Sequence, residues 1–160
     1  SMTEQDWRAR TALVLGGPAL ERPSHASVAG FGLGGVGGAA AEAIARAGVG
    51  RVTLIDGDSY QPSNLNRQLG ATTETLGRSK AQAMAERARG INPAATIVAV
   101  EAVYHPDTAE GFPIIEWDFI IDAIEMVTAK MALRANATNQ GVPILSVMGT
   151  GWKRDPPAFG

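Results

Sequence analysis

Gly32, Gly34 and Gly37 fall at the spacing G-x-G-x-x-G within VAGFGLGGVGG, residues 28–38, and Asp56 follows in RVTLIDGD. Glycines so spaced permit a tight turn and bring backbone N–H groups close to a phosphate. A helix opening directly behind them favours negative charge at its N-terminus. A carboxylate ending the next strand is placed to hold a ribose hydroxyl. Strand, turn, helix and acid in that order argue for a nucleotide pocket over a turn that only packs a helix on a strand. They do not separate NAD from ATP, since both carry a ribose and phosphates.

The following residues bear on that choice. After Asp56 comes GDSYQPSNLNRQ, in which Asp58, Asn64, Arg67 and Gln68 crowd a loop that a dinucleotide dehydrogenase does not need. Arg67 offers several N–H donors to phosphate oxygens. Lys80 follows near the start of the next helix and can act on the same phosphates as a point charge. Alone, Lys80 would read as a solvated helix lysine; behind Arg67 it reads as a phosphate ligand.

These residues need a frame. Helical spacing covers residues 5–15, with Gly16-Gly17-Pro18 as the stop. Short apolar runs predict strands over 27–31, 51–55, 96–100, 119–122 and 144–147. Helices are expected over 35–47, closed by Gly48 and Gly50, over 79–89, ended by Gly90 and Asn92-Pro93, and over 125–139, ended by Gly141, with a short helix over 106–111. Residues 60–71 read as a long polar loop. Strand and helix alternate, which predicts an α/β fold: a Rossmann-like, doubly wound, mostly parallel sheet with helices on both faces.

Composition sets the outer limits. The chain has 160 residues, a net charge of -2 and an apolar fraction of 45%. One domain over residues 3–160 is expected, with Ser1-Met2 set aside as a cloning remnant. The Pro/Gly-rich tail DPPAFG has no element to anchor it, so the sequence reads as cut short at the C-terminus. There is no cysteine, which excludes a Cys-x-x-Cys zinc site and a thiolate nucleophile within these residues. No apolar run approaches the roughly 20 residues of a membrane span. The expectation is a cytoplasmic chain with no membrane partner. His25 and His105 stand alone and are read as surface or loop residues without a catalytic role.

Four motifs in order, GLGGVGG (32–38), LIDGD (54–58), SNLNRQ (63–68) and GRSKA (77–81), resemble the ubiquitin-activating-enzyme-like adenylating superfamily of the ThiF/MoeB/HesA type. Within it the chain is most similar to the tRNA threonylcarbamoyladenosine dehydratase (TcdA) branch. That similarity rests on RTALVLG near the start, ERARGINP at 86–93, FIIDAIE at 119–125 with Lys130, and MGTGWKRDPP at 148–157. The resemblance implies a ligase-type enzyme that uses ATP and Mg²⁺ to adenylate a carboxylate, here that of threonylcarbamoyladenosine in tRNA, with loss of water. It implies Arg67 and Lys80 at the phosphates, Asp56 at the ribose, and Gly35 where the backbone approaches the nucleotide. It also implies a homodimer in which Arg10 reaches the partner's ATP in trans; Arg10 by itself would read as a helix-surface arginine, and Arg8 competes for the role.

The metal position of the family is usually aspartate, and this chain has Glu125 there, three residues after Asp122. Either Glu125 or Asp122 is expected to hold the cation. Trp7 occupies the place of the first arginine in the family's Arg-x-x-Arg pair. Three other readings remain open: an adenylating enzyme for a ubiquitin-like sulfur carrier or peptide, a NAD-binding oxidoreductase domain, and a non-catalytic partner of a heterodimer.

Overall fold

The computed structural model describes residues 22–58 and 77–148. The helix expected over 5–15 and the polar loop over 60–71 lie outside them. Five strands form one parallel sheet: β1 (Ser27–Phe31), β2 (Arg51–Ile55), β3 (Thr96–Val100), β4 (Phe119–Asp122) and β5 (Ile144–Ser146). Their order is β3-β2-β1-β4-β5. The helices are α1 (Val36–Arg46), α2 (Lys80–Ile91) and α3 (Val127–Asn139).

The strands are buried on both faces, so their apolar runs are almost continuous, yet the period of two survives in where each side chain goes. On β1, Val28 joins one core while Ala29 and Phe31 join the other; on β4, Phe119 and Ile121 face the first and Ile120 the second. The first core lies under α1 and α2, whose inner faces are mostly alanine: Ala40, Ala41 and Ala45 on α1, Ala81, Ala85 and Ala88 on α2. The second core lies under α3 and is aromatic. Phe31 packs edge-on against Tyr104 and Trp117, each 5.5 Å away between ring centroids. Helices therefore cover both faces.

The structure sharpens two expectations. Of the two stops expected for α2, the helix runs through Gly90 to Ile91 and ends at the second, with Asn92 as the C-cap and Pro93 blocking continuation. The short helix expected over 106–111 in the β3–β4 crossover is present but narrower, and 3-10 in type. Only single 3-10 turns form there, at Ala109–Gly111 and Ile114–Glu116. Phe112 and Pro113 separate them, and Phe112 spends its ring on Phe31 and Tyr104.

The chain winds outward from β1 through β2 to β3, then crosses back beyond β1 to β4. Parallel sheets bind ligands in the crevice outside the carboxyl ends of the strands at such a switch point. Here it lies between Phe31 of β1 and its register partner Asp122 of β4.

Candidate functional site

A cleft of about 570 Å³ opens at that switch point. The glycine turn after β1 forms its floor. Gly32 has φ +87°, and a Cβ there would lie 2.6 Å from the Ala123 carbonyl oxygen after β4. A Cβ on Gly37 would sit 1.9 Å from the carbonyl oxygen of Gly32 itself. So Gly37 is required for α1 to approach the turn. Gly37→Ala should cost about 1–3 kcal/mol or more, as overpacked sites do, read as a lower urea midpoint at unchanged slope. A native midpoint would mean that the turn relaxes freely. Gly35 is the N-cap of α1 and makes no side-chain cap, so none of the first N–H groups of α1 is taken up by an N-cap side chain. Gly32 and Gly34 line the cleft.

Asp56 leaves β2 into this cleft. Its Oδ2 accepts the Leu33 N–H at 2.8 Å and its Oδ1 accepts the Asp58 N–H at 2.8 Å. The carboxylate thus ties the glycine turn to the exit of β2, and each oxygen keeps a second lone pair for a hydroxyl donor. Lys80 begins α2, is 8% exposed, and lines the same cleft. Its backbone N–H donates to the Asp58 carbonyl at 2.9 Å, and Ser79 caps the helix by accepting from the Gln82 N–H. These contacts fix the helix start against the exit of β2.

Burial pushes the Asp56 carboxyl above the ordinary aspartate value; the two N–H donors and the positive charge of Lys80 oppose the rise. Protonation of Asp56 therefore favours the folded state. That contribution is present below the unfolded-state value and is lost as pH rises through the raised folded one. Lowering the pH from neutrality toward the ordinary aspartate range should raise the stability of the native chain relative to Asp56→Asn. Parallel denaturation series of the two proteins check this, and a difference that is flat with pH would contradict the burial.

Glu125 and Asp122 part company. Glu125 is exposed and lines the cleft, two residues before α3 begins. It is not a residue of that helix, which starts later than the spacing predicts. Asp122 is fully buried, and both of its oxygens are committed. Oδ1 accepts the Ile124 N–H at 2.9 Å; Oδ2 takes Lys130 Nζ at 2.9 Å and Ser146 Oγ at 2.8 Å. A carboxylate so enclosed and neutralised does not offer itself to a cation in the cleft. The expectation of a metal ligand at Asp122 is corrected on that ground.

Sequence reasoning missed Lys130 as more than a family mark, and it missed Ser146. The available signal was a lysine on the otherwise apolar inner face of α3, with Ala129, Leu133 and Ala137. His105, read as a surface or loop residue, is exposed in the segment after β3 and also lines the cleft. A turn holds it there, with Thr108 Oγ1 accepting the His105 N–H and donating to the Val103 carbonyl. Arg10, Asn64, Arg67 and Gln68 lie outside the described residues.

The family model for ThiF matches residues 8–156. The chain belongs to the ThiF family. It is 39% identical over 150 residues to the tRNA threonylcarbamoyladenosine dehydratase of Bacillus subtilis, covering 94% of this chain and 59% of that protein. It is 39% identical over 153 residues to the Escherichia coli protein of the same name, covering 94% of this chain and 57% of the relative. The chain thus spans less than two thirds of their length. The crystal structure of E. coli TcdA in complex with ATP superposes with a TM-score of 0.79 at 38% identity, covering 98% of this chain and 65% of that one. E. coli molybdopterin-synthase adenylyltransferase is 37% identical over 116 residues, 72% of this chain and 46% of its own length. The α/β, Rossmann-like fold of this ThiF chain is shared with that crystal structure. Among the described residues, no helix is long and apolar enough to cross a membrane.

Proposed function

We propose that this ThiF chain is the nucleotide-binding part of an ATP-dependent adenylating enzyme whose substrate is threonylcarbamoyladenosine in tRNA. The observation that carries the reading is the joining of the glycine turn, Asp56 and Lys80 around one cleft at the switch point. The ATP complex of a relative at 38% identity supports ATP as the nucleotide.

In this reading the threonine carboxylate attacks the α-phosphorus of ATP. A new P–O bond forms, the bond to pyrophosphate breaks, and an acyl-adenylate results. The carbamoyl group then closes a ring on the activated carbonyl and AMP leaves, so that water is lost overall at the expense of ATP. Charge builds on the α-phosphate and the departing pyrophosphate, and fixed positive groups in a shielded cleft stabilise it without reorganising. Lys80 supplies one such group. Arg67, in SNLNRQ, supplies a second. Asp56 orients the ribose through its remaining lone pairs, and the glycine turn lets the N–H groups behind it approach the phosphates.

Among the described residues, no group of three His, Asp or Glu side chains is ready to hold a cation. Magnesium needs less than that, because it usually binds through one or two carboxylates together with substrate phosphates. Glu125, exposed and lining the cleft, supplies one such carboxylate. When bound there, magnesium would neutralise phosphate charge. The working unit in this reading is a cytoplasmic homodimer with Arg10 acting across the interface on the partner's ATP.

Calorimetric titration with ATP·Mg²⁺ and separately with NAD tests the nucleotide. ATP binding without NAD binding is expected, and the reverse overturns the reading in favour of an oxidoreductase domain. Loss of water from threonylcarbamoyl-modified tRNA, followed by mass spectrometry, tests the substrate. ATP binding with adenylation only of a carrier-protein C-terminus would shift the assignment toward the molybdopterin-synthase adenylyltransferase type.

A further inference from the structure

The buried cluster around Asp122 has no part in the chemistry just described, yet it sits directly behind the cleft. Three elements meet in it. Lys130 of α3 uses all three donors of its ammonium: on Asp122 Oδ2 at 2.9 Å, on the Asp122 carbonyl at 3.2 Å, and on the Val147 carbonyl, just beyond β5, at 3.1 Å. Ser146 of β5 adds a second donor to Oδ2. The opposite oxygen, Oδ1, is thereby turned to the Ile124 N–H, two residues ahead. This is an Asx-type turn. The turn is also held from the other side, since the Ala123 N–H donates to the Phe31 carbonyl at 2.7 Å. Ala123 in turn places its carbonyl against Gly32, and both residues line the cleft. The next residue after this strapped segment is Glu125.

We propose that Asp122 is a positioning residue: its Oδ1 fixes the turn at Ala123 and Ile124 that sets Glu125 at the cleft, and Lys130 with Ser146 holds the carboxylate in that orientation. The turn is a matter of hydrogen bonding, whereas the charge of Asp122 serves only to balance Lys130. Asparagine can replace it if the ammonium is removed as well. In Asp122→Asn/Lys130→Met, an amide oxygen still accepts the Ile124 N–H, and the amide nitrogen can donate to Ser146. In Asp122→Ala/Lys130→Met, the charges are equally absent but the turn has no acceptor. Both proteins therefore lose the ion pair, and only one loses the positioning bond. For the work of Glu125 at the phosphates, the inference rests on the adenylating reading above.

The test uses the full chain in three forms: native and the two double variants, with folding confirmed by circular dichroism. The first readout needs no nucleotide. Amide hydrogen exchange at Ile124 should stay near native in the asparagine variant and quicken at least about tenfold in the alanine variant, as an amide released from a native hydrogen bond does. Equal protection in both overturns the proposal, whatever the chain binds. The second readout is affinity for ATP·Mg²⁺ against AMP without metal. The alanine variant should lose about 10–100-fold for ATP·Mg²⁺, the usual consequence of removing a group that orients a metal ligand, with AMP binding unchanged. Equal loss for both ligands would mean general damage to the cleft and would overturn the positioning of Glu125. If the native chain binds neither ligand, the adenylating reading falls while the exchange data still decide the turn.

Discussion

Replacing Lys130 by methionine should destabilise the domain by about 3–5 kcal/mol, the usual result of stranding one member of a buried ion pair. The side chains concerned are 6% exposed for Lys130 and fully enclosed for Asp122, with 2.9 Å between Nζ and Oδ2. Burial holds the Lys130 ammonium below the ordinary lysine value, and the Asp122 carboxylate opposes that fall. The pair is tolerated because its polar atoms are satisfied. The ammonium has three acceptors, and the carboxylate has the ammonium, a hydroxyl and a backbone N–H. Methionine keeps much of the aliphatic stem but leaves Asp122 charged in a dry site. Adding Asp122→Asn should then recover most of the loss, because the two changes act on one interaction and are not additive. Urea unfolding of the two single variants and the double variant measures this. A loss under about 1 kcal/mol for Lys130→Met, within the range of an exposed pair, would show that water reaches the site.

How far such features can be read in advance depends on the range of their causes. The strands β1 to β4 coincide with their apolar runs because a parallel strand buried on both faces leaves a short block of Val, Ile, Phe and Ala bounded by polar or glycine residues. The glycine turn and Asp56 were equally legible, since the turn, the helix behind it and the acid are local in the chain. The β3–β4 crossover was legible only in part: its short helix lies within the expected range, but the place of Phe112 was not, because it answers to Phe31 on a distant strand. Asp122 was misjudged for the same reason. Its partners, Lys130 and Ser146, stand 8 and 24 residues away and meet it only when β4, α3 and β5 are packed together. An acid at the end of a strand beside a glycine turn resembles a ligand of the cleft until the side behind the sheet is seen. The placing of His105 at the cleft is likewise a product of the turn at residues 105–108.

The loss of Lys80 should abolish turnover while leaving the fold standing. Lys80→Ala is expected to lower the rate of ATP-dependent adenylation by at least about 100-fold, the scale found when one preorganised donor to a developing charge is removed. The side chain is almost wholly withdrawn from water, so its charge acts through a medium of lower dielectric than an exposed lysine would have. It also acts twice. Besides the phosphate role proposed above, it lies close enough to Asp56 to favour the ionised form of that carboxylate. Without it, the Asp56 carboxyl rises further, and a protonated Asp56 presents a weaker acceptor to the ribose. The variant should therefore bind AMP somewhat more weakly and ATP much more weakly, whereas a purely structural lysine would impair both alike. Folding is expected to survive, because the Lys80 backbone N–H still reaches the Asp58 carbonyl and Ser79 still caps α2. Lys80→Arg should restore little, since a planar fork cannot take the place of a compact ammonium in a buried site. Pyrophosphate release, melting temperature and the ratio of AMP to ATP affinity together decide the matter: native turnover with an intact fold would remove Lys80 from the phosphate site.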